Sequence, residues 1–334
     1  MESEHWDSIV QYISEGLNTP SEEKAPERPK LTTSVSQSRL ITPPDSNAQT
    51  PQAEQHNVVS ISVVFSPGST LDSLPSDLVL LTSDSVFFYV HSHRLLGASD
   101  NGFNAMLPGD STQGPSGGSP LLVVPEDSIV LNIILHTIYN MSVAQFAPAT
   151  QAIVAAVDAM AKYGIPARTY IAPSTPLYLL LHANAAISPI EVYALAASLD
   201  ISELAVATSS HLLSYPLSSL TDELTMKMGP IYMKRLVFLH LGRIEALKRL
   251  LLPPPASHQS TQVCGAAEQK TLTRAWALAS AYLAWEARPD LSATALEAAL
   301  YPLGDHLVCN DCKRLLKDRV AELAMQWTLV KKTI

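Results

Sequence analysis

The sequence predicts an α+β fold: a small sheet with helical hairpins, then an all-α C-terminal domain, with a disordered N-terminal arm in front. Three observations predict it. Residues 1–57 are acidic and polar, rich in Ser, Thr, Pro, Glu and Gln. Such a segment buries too little apolar area to offset its ordering entropy. Residues 58–124 hold short β-branched and aromatic runs separated by turn residues, the mark of strands. Beyond Asp127, apolar residues recur at helical spacing, with Pro and Gly at the breaks.

The elements follow in order. In the arm, Trp6, Ile9, Val10, Ile13 and Leu17 lie at i, i+3, i+4, i+7 spacing and predict a short amphipathic helix over residues 5–17. It is either a nascent helix without a role or a segment that docks in a groove. Thr19-Pro20, Thr42-Pro43 and Thr50-Pro51 are candidate proline-directed phosphorylation sites. Residues 58–65 are β-rich and stop at Pro67-Gly68. Residues 78–81 and 86–90, split by Thr82-Ser83-Asp84-Ser85, read as a hairpin. Two short helices are expected near 93–98 and 101–107. Residues 108–120 are a Gly/Ser/Pro insert without periodicity, hence a loop. A strand at 121–124 stops at Pro125, and Asp127-Ser128 caps a helix to Tyr139.

From there the pattern is helical. Residues 150–163 put Ile153, Val154, Val157 and Met160 on one face and end at Gly164, a C-terminal glycine signal. Helices at 176–186, 189–199, 202–213, 217–227 and 230–251 follow, several opened by Pro. Residues 152–165 and 191–201 echo each other: an Ala-rich helix, a short break, then a β-branched residue. This reads as repeated hairpin geometry and not as a repeat array. Pro253-Pro254-Pro255 opens a polar linker; residues 265–285 and 307–330 are again helical. The expected segments are the arm 1–57, a mixed domain 58–186, a helical extension 187–252, a linker 253–263 and a C-terminal helical segment 264–334.

Charge and composition exclude several functions. A net charge of −9 argues against a broad nucleic-acid surface. The basic residues Lys313, Arg314, Lys317, Arg319, Lys331 and Lys332 read as a solvated helix face. The apolar runs at 129–138 and 177–181 are cut by Asn132, His136 and His182, so no membrane span is expected. The polar N-terminus lacks a signal-peptide core. Cys264, Cys309 and Cys312 are too few for a disulfide framework and suit an intracellular compartment, cytoplasm or nucleus.

The chain carries no Gly-x-Ser-x-Gly elbow, no phosphate-cradling loop and no His-Glu-x-x-His. Neither enzymatic activity nor a cofactor is expected. His306-x-x-Cys309-x-x-Cys312 has zinc-like spacing, with Cys264 or His258 as a distant fourth ligand. Structural zinc sites normally show two paired knuckles, and one is present. The preferred reading is therefore metal-free: two thiols one turn apart at the start of the last helix, with His306 near its cap. His91-Ser92-His93 would set two imidazoles on one strand face; packing is preferred there over metal binding, since no carboxylate or thiol lies nearby in sequence. Asp77 and Arg94 either form a partly buried ion pair, or Asp77 caps a turn while Arg94 is solvated.

One stretch carries a family likeness. Residues 76–107 read Ser-Asp-Leu-Val-Leu-Leu, a turn, Val-Phe-Phe-Tyr-Val-His-Ser-His-Arg-Leu-Leu, then Gly-Ala-Ser-Asp-Asn-Gly-Phe-Asn-Ala-Met-Leu. This resembles the opening of a BTB/POZ domain, a protein-interaction module. In that family a strand begins at Ser-Asp, a second ends at a His-Lys/Arg step, and a helix carries Leu-x-x-x-Ser-x-x-Phe. Asp77, His93, Arg94, Leu95, Leu96, Ser99, Phe103 and Met106 stand in those places. The likeness covers about residues 74–186. Residues 121–126 resemble the third strand, 131–139 the "LLxxIY" helix, and 150–165 the helix that ends the core. The C-terminal half resembles the helical extension of fungal BTB proteins, including Cys309-x-x-Cys312, Asp318-Arg319-Val320 and Trp327.

The resemblance implies a non-enzymatic, dimerising adaptor with Asp77, His93, Arg94, Leu95, Phe103 and Met106 as interaction residues. His93 would pack over the helix, hydrogen-bonded. The implied partners are a second copy and, as a substrate receptor, a cullin-type ubiquitin ligase scaffold. The insert at 108–120, where scaffold-binding members tend to place contacts, lacks their hydrophobic-x-Glu signature. The alternative is a transcription or signalling regulator acting through the phosphorylated arm and the C-terminal helices.

Overall fold

The computed structural model describes residues 60–107 and 119–334. The arm with its helix at 5–17, its Thr-Pro steps and most of the 108–120 insert lie outside the described residues. The fold is mixed α+β. Strands β1 (Ser60–Ile61), β2 (Leu78–Leu81), β3 (Val86–Val90) and β4 (Leu121–Val123) form one sheet ordered β1-β3-β2-β4. β2 and β3 are the hairpin, with Leu78 opposite Val90 and Leu80 opposite Phe88. Those four side chains share one face and are buried, as the two-residue strand period requires. β1 pairs parallel to β3, and β4 parallel to β2.

Each end of the hairpin holds a helix by its N-terminus. At the turn, Asp84 accepts from the Ser128 N–H (2.9 Å) and hydroxyl (2.6 Å) at the start of α2, Ser128–Ile138. Asp127 caps the same helix through the Val130 N–H (2.8 Å). At the open end, Asp77 accepts from the N–H (2.7 Å) and hydroxyl of Ser92, the first residue of α1, Ser92–Ala98. A carboxylate there answers both the free N–H groups and the positive helix end. Partial burial pushes both carboxyls up, but hydrogen bonds from Ser92 to Asp77 and from Ser128 and Thr82 to Asp84 outweigh it and hold both below the usual range. A carboxyl lowered in the folded state stabilises fully above its unfolded value, about pH 4, and loses that contribution as pH falls through the folded value. The double variant Asp77→Asn, Asp84→Asn should therefore be less stable at neutral pH, with a flatter acid dependence, read as urea midpoints at stepped pH. An acid limb matching the wild type would refute ionised caps.

The second helix expected near 101–107 is not formed. Gly102–Ala105 is instead one left-handed turn, with φ of +65°, +54°, +60° and +55°. Each non-glycine residue there costs roughly 1–2 kcal/mol. Local bonds offset this: the Phe103 N–H donates to Ser99 Oγ (2.7 Å) and the Asn104 N–H to Asn101 Oδ1 (2.8 Å). Ser99 Oγ in turn donates to the Tyr163 carbonyl (2.7 Å), and Phe103 stacks on Tyr163 at 4.2 Å. The turn is thus fastened to the end of α3, Thr150–Lys162.

That end needs its glycine. Gly164 has φ +66°, and a Cβ there would overlap the Asp100 carboxylate and the Asn101 amide. The Ile165 N–H closes the helix onto the Met160 carbonyl at 2.8 Å, a Schellman end. α5 (Pro189–Ser198) ends alike, with Asp200 at φ +52° and Ile201 N–H on the Ala196 carbonyl at 2.8 Å. The sequence echo between 152–165 and 191–201 is this shared helix end. α4 (Pro176–Asn184) precedes α5 and α6 (Ser202–Ser209) follows it.

Helix α7, Asp222–Leu251, is kinked at Gly229 (φ +70°), just ahead of Pro230. It leaves one hydrophobic core and enters another. The first spans Phe65 to Leu236; the second spans Leu247 to Trp327 and is closed by α8 (Ala266–Trp285), α9 (Ala293–Leu300) and α10 (Asn310–Leu329). The C-terminal Ile334 returns to the first core, its N–H on Ser209 Oγ at 3.1 Å.

Two buried arginines finish helix ends across the second core. Arg319 is 8% exposed, not part of a solvated basic face. Its guanidinium donates to the Leu250 carbonyl and, at 2.9 Å, to that of Pro253, and stacks over Trp276. Trp276 Nε1 donates to the Leu251 carbonyl at 2.9 Å. Arg243 does the same for α10: Nη1 reaches the Val330 and Lys331 carbonyls (2.9 and 3.1 Å), Nε the Pro289 carbonyl (2.6 Å), and the fork lies over Trp327. The last carbonyls of a helix lack intrahelical partners, and these forks supply them.

Candidate functional site

The residues expected to face a partner divide into two groups. Leu95 and Phe103 are fully buried and Met106 is half-buried. They build the core of the sheet domain, so the first two present no surface to a partner. Asp77 and Arg94 do not pair. Asp77 is occupied by Ser92, while Arg94 Nε donates to Asp72 Oδ2 at 2.6 Å and its guanidinium lies over the Tyr139 ring. His93 Nε2 meets the same Asp72 oxygen at 3.2 Å. The Arg94 guanidinium holds the Asp72 carboxyl well below the usual range. Asp72 precedes the strand in an irregular segment, and no periodicity marks it.

The buried imidazole is His91, not His93. His93 is exposed on α1, whose backbone begins between the two residues, so they do not share a strand face. His91 N–H donates to the Tyr139 hydroxyl (2.9 Å), whose proton serves His91 Nδ1 (2.8 Å). His91 Nε2–H then donates to the Leu74 carbonyl at 2.8 Å. This assignment follows from the carbonyl, which only accepts. Burial pushes the Tyr139 hydroxyl up to about 12. The network pins the chain ahead of β2 to the end of α2.

Exposed apolar side chains gather elsewhere. Ile61 and Val63, Ile129 of α2 and Phe146 surround a groove of about 470 Å³ beside β1. At the opposite edge of the sheet Leu121 and Val123 of β4 are exposed. Both edges of the sheet therefore carry uncovered apolar side chains.

A different constellation lies in the second core. His258, Cys264, Cys309 and Cys312 bring one ligand atom each to within 4.8 Å of one another. His258 Nε2 is 3.2 Å from Cys312 Sγ and 3.4 Å from Cys309 Sγ, and Cys264 Sγ is 3.6 Å from Cys312 Sγ. The thiols are 2%, 7% and 3% exposed in chain order. Burial pushes Cys264 and Cys312 up, the latter to about 12. The nearby backbone of Cys312 and Asp311 holds the Cys309 thiol down, without a cap hydrogen bond to its sulfur.

Local structure explains the convergence. Cys309 is the N-cap of α10 and Cys312 sits in its first turn. The 253–263 segment has no regular element beyond a bridge between Thr261 and Cys264, but it is fastened along its length. Arg319 holds its start. The Gln269 side-chain amide clamps the His258 backbone, accepting from its N–H (3.2 Å) and donating to its carbonyl (3.0 Å). Thr261 and Cys264 exchange backbone bonds of 2.8 and 3.4 Å. His306, offered by the His-x-x-Cys spacing, is exposed and outside the four. Residues 305–309 are not helical, so a three-residue step does not return to one face there; His258 supplies the imidazole instead. The legible signal was a second pair, His258 and Cys264 with five residues between them, to set against Cys309 and Cys312.

Comparison with family models, curated proteins and solved structures finds no match for this chain.

Proposed function

We propose that the chain is a non-enzymatic protein-interaction adaptor that self-associates through a BTB/POZ-like domain at residues 58–186. The observation that carries this reading is the uncovered apolar surface at both edges of the sheet: the groove of Ile61, Val63, Ile129 and Phe146 beside β1, and Leu121 with Val123 on β4. Contiguous exposed apolar surface marks an interaction site, and an open edge strand is a template for pairing with another chain. The order of elements supports the same reading: a hairpin, a short helix, a strand parallel to the first of the hairpin, then two helices packed against each other. A second copy is the occupant that best suits two open edges on one sheet, since a two-fold axis places like surface against like.

Light scattering on the full chain tests it. The expected mass is twice 36.1 kDa. Val123→Asp and Ile129→Asp, both at exposed positions, should weaken self-association at least about tenfold, or 1.4 kcal/mol, with an unchanged thermal midpoint. A monomer at every concentration, or a dimer indifferent to both substitutions, overturns the reading.

A further inference from the structure

We propose that His258, Cys264, Cys309 and Cys312 are the ligands of one tetrahedral zinc ion that locks the C-terminal helical unit. The inference is independent of the adaptor reading, since the three cysteines belong to the second core, His258 lies beside them, and none of the four is in residues 58–186.

Geometry comes first. Zinc binds thiolate at about 2.3 Å and imidazole at about 2.0–2.1 Å. A tetrahedron with those arms has edges of about 3.8 Å between sulfurs and about 3.5 Å from sulfur to nitrogen. The observed separations are 3.6 Å for Cys264–Cys312 and 3.2 and 3.4 Å from His258 Nε2 to the two helix cysteines. Three of the six edges thus fit a single-ion cage, and the other three lie within 4.8 Å. A polynuclear iron–sulfur cluster would spread its ligands beyond the 4.8 Å that encloses this group. A Cys264–Cys312 disulfide would need about 2.05 Å between sulfurs and would strand Cys309 and His258. Three soft thiolates with one imidazole in a closed four-coordinate set suit zinc in a structural role.

The surroundings are arranged for a cation. His258 Nδ1 lies 2.7 Å from the Gln259 carbonyl. A carbonyl only accepts, so the proton sits on Nδ1 and the Nε2 lone pair points at the two sulfurs. This is the tautomer a metal-binding imidazole needs, fixed by its outer partner. Cys309 is the N-cap of α10 and Cys312 lies in its first turn, so both sulfurs sit at the positive end of that helix. The Gln269 clamp and the Thr261–Cys264 bridge fix the other two ligands from behind. A half-buried imidazole aimed at two of three clustered thiols has no such purpose in a purely apolar core.

Binding is balanced simply: one Zn2+ enters, the three thiols release three protons to solvent, and the neutral imidazole donates its lone pair. The site carries one net negative charge, answered by the N-terminal end of α10. With no open coordination position, the ion ties residues 258–264 to the start of α10.

Metal analysis of untagged full-length protein, purified without chelator, should find one zinc per chain. His258→Ala and Cys309→Ser should hold less than about a tenth of that, while His306→Ala keeps it. Cobalt(II) exchanged into the wild type should give the absorption of a tetrahedral thiolate site, and removal of zinc should lower the thermal midpoint. Wild-type metal content decides the matter even where a variant fails to fold. Metal-free protein that takes up neither added zinc nor cobalt, a Cys264–Cys312 disulfide by mass spectrometry, or zinc lost with His306 overturns the proposal.

Discussion

Arg319→Met should destabilise the protein by about 3–5 kcal/mol, the loss of two hydrogen bonds from a buried charged donor. The guanidinium is the partner of the Leu250 and Pro253 carbonyls at the end of α7. A hydrogen bond to a charged donor contributes about 1.5–3 kcal/mol, less where the acceptor can reach water. Loss of the stack on Trp276 adds about 0.5–2 kcal/mol. Met keeps much of the volume, so little of the loss would come from a cavity. Arg319→Lys should recover only part, because an ammonium cannot span two carbonyls and stack at once. Denaturant midpoints of the three proteins measure this; a loss under about 1 kcal/mol for Met would remove the helix-end role.

Arg243→Met should cost a comparable amount, for a different consequence. Its three carbonyl partners, Pro289, Val330 and Lys331, belong to two separate segments late in the chain. It is 3% exposed and forms no ion pair among the described residues, so its charge is balanced by carbonyl dipoles, the Trp327 ring face and the more distant Asp290 carboxylate. Removing it should loosen residues 330–334 first, and hydrogen exchange at Ile334, whose N–H meets Ser209, reports that. The expected result is faster exchange there at a denaturant concentration well below the midpoint. Unchanged exchange with full loss of stability would mean that the tail is held by Ile334 alone.

The features legible in the sequence were those whose causes are local. Asp127 and Thr175 cap helices within three residues, Pro176 and Pro189 open them, and Gly164 ends one. The hairpin residues sit opposite each other because the alternation of Leu78, Leu80, Phe88 and Val90 is itself local. What was hidden depends on partners far along the chain. Arg319 counts as a basic surface residue until the Pro253 carbonyl, 66 residues away, is brought to it. His258 lies 51 residues from Cys309, and the nearer His306 has the more suggestive spacing. Arg94 finds Asp72 and not Asp77 because Ser92 already occupies the latter. The left-handed turn at 102–105 escaped because Ser99 and Phe103, which hold it, are themselves placed by the distant Tyr163.

The layout of the two cores has a consequence for biosynthesis. Every buried residue of the first core, from Phe65 to Leu236, leaves the ribosome before α8 is made, and domains tend to fold as they emerge. The nascent α7, however, would project from that half with its last carbonyls bare until translation delivers Trp276 and then Arg319. A chain stalled between those two codons would therefore carry a largely formed N-terminal half and an α7 end whose Leu250 and Pro253 carbonyls still lack Arg319.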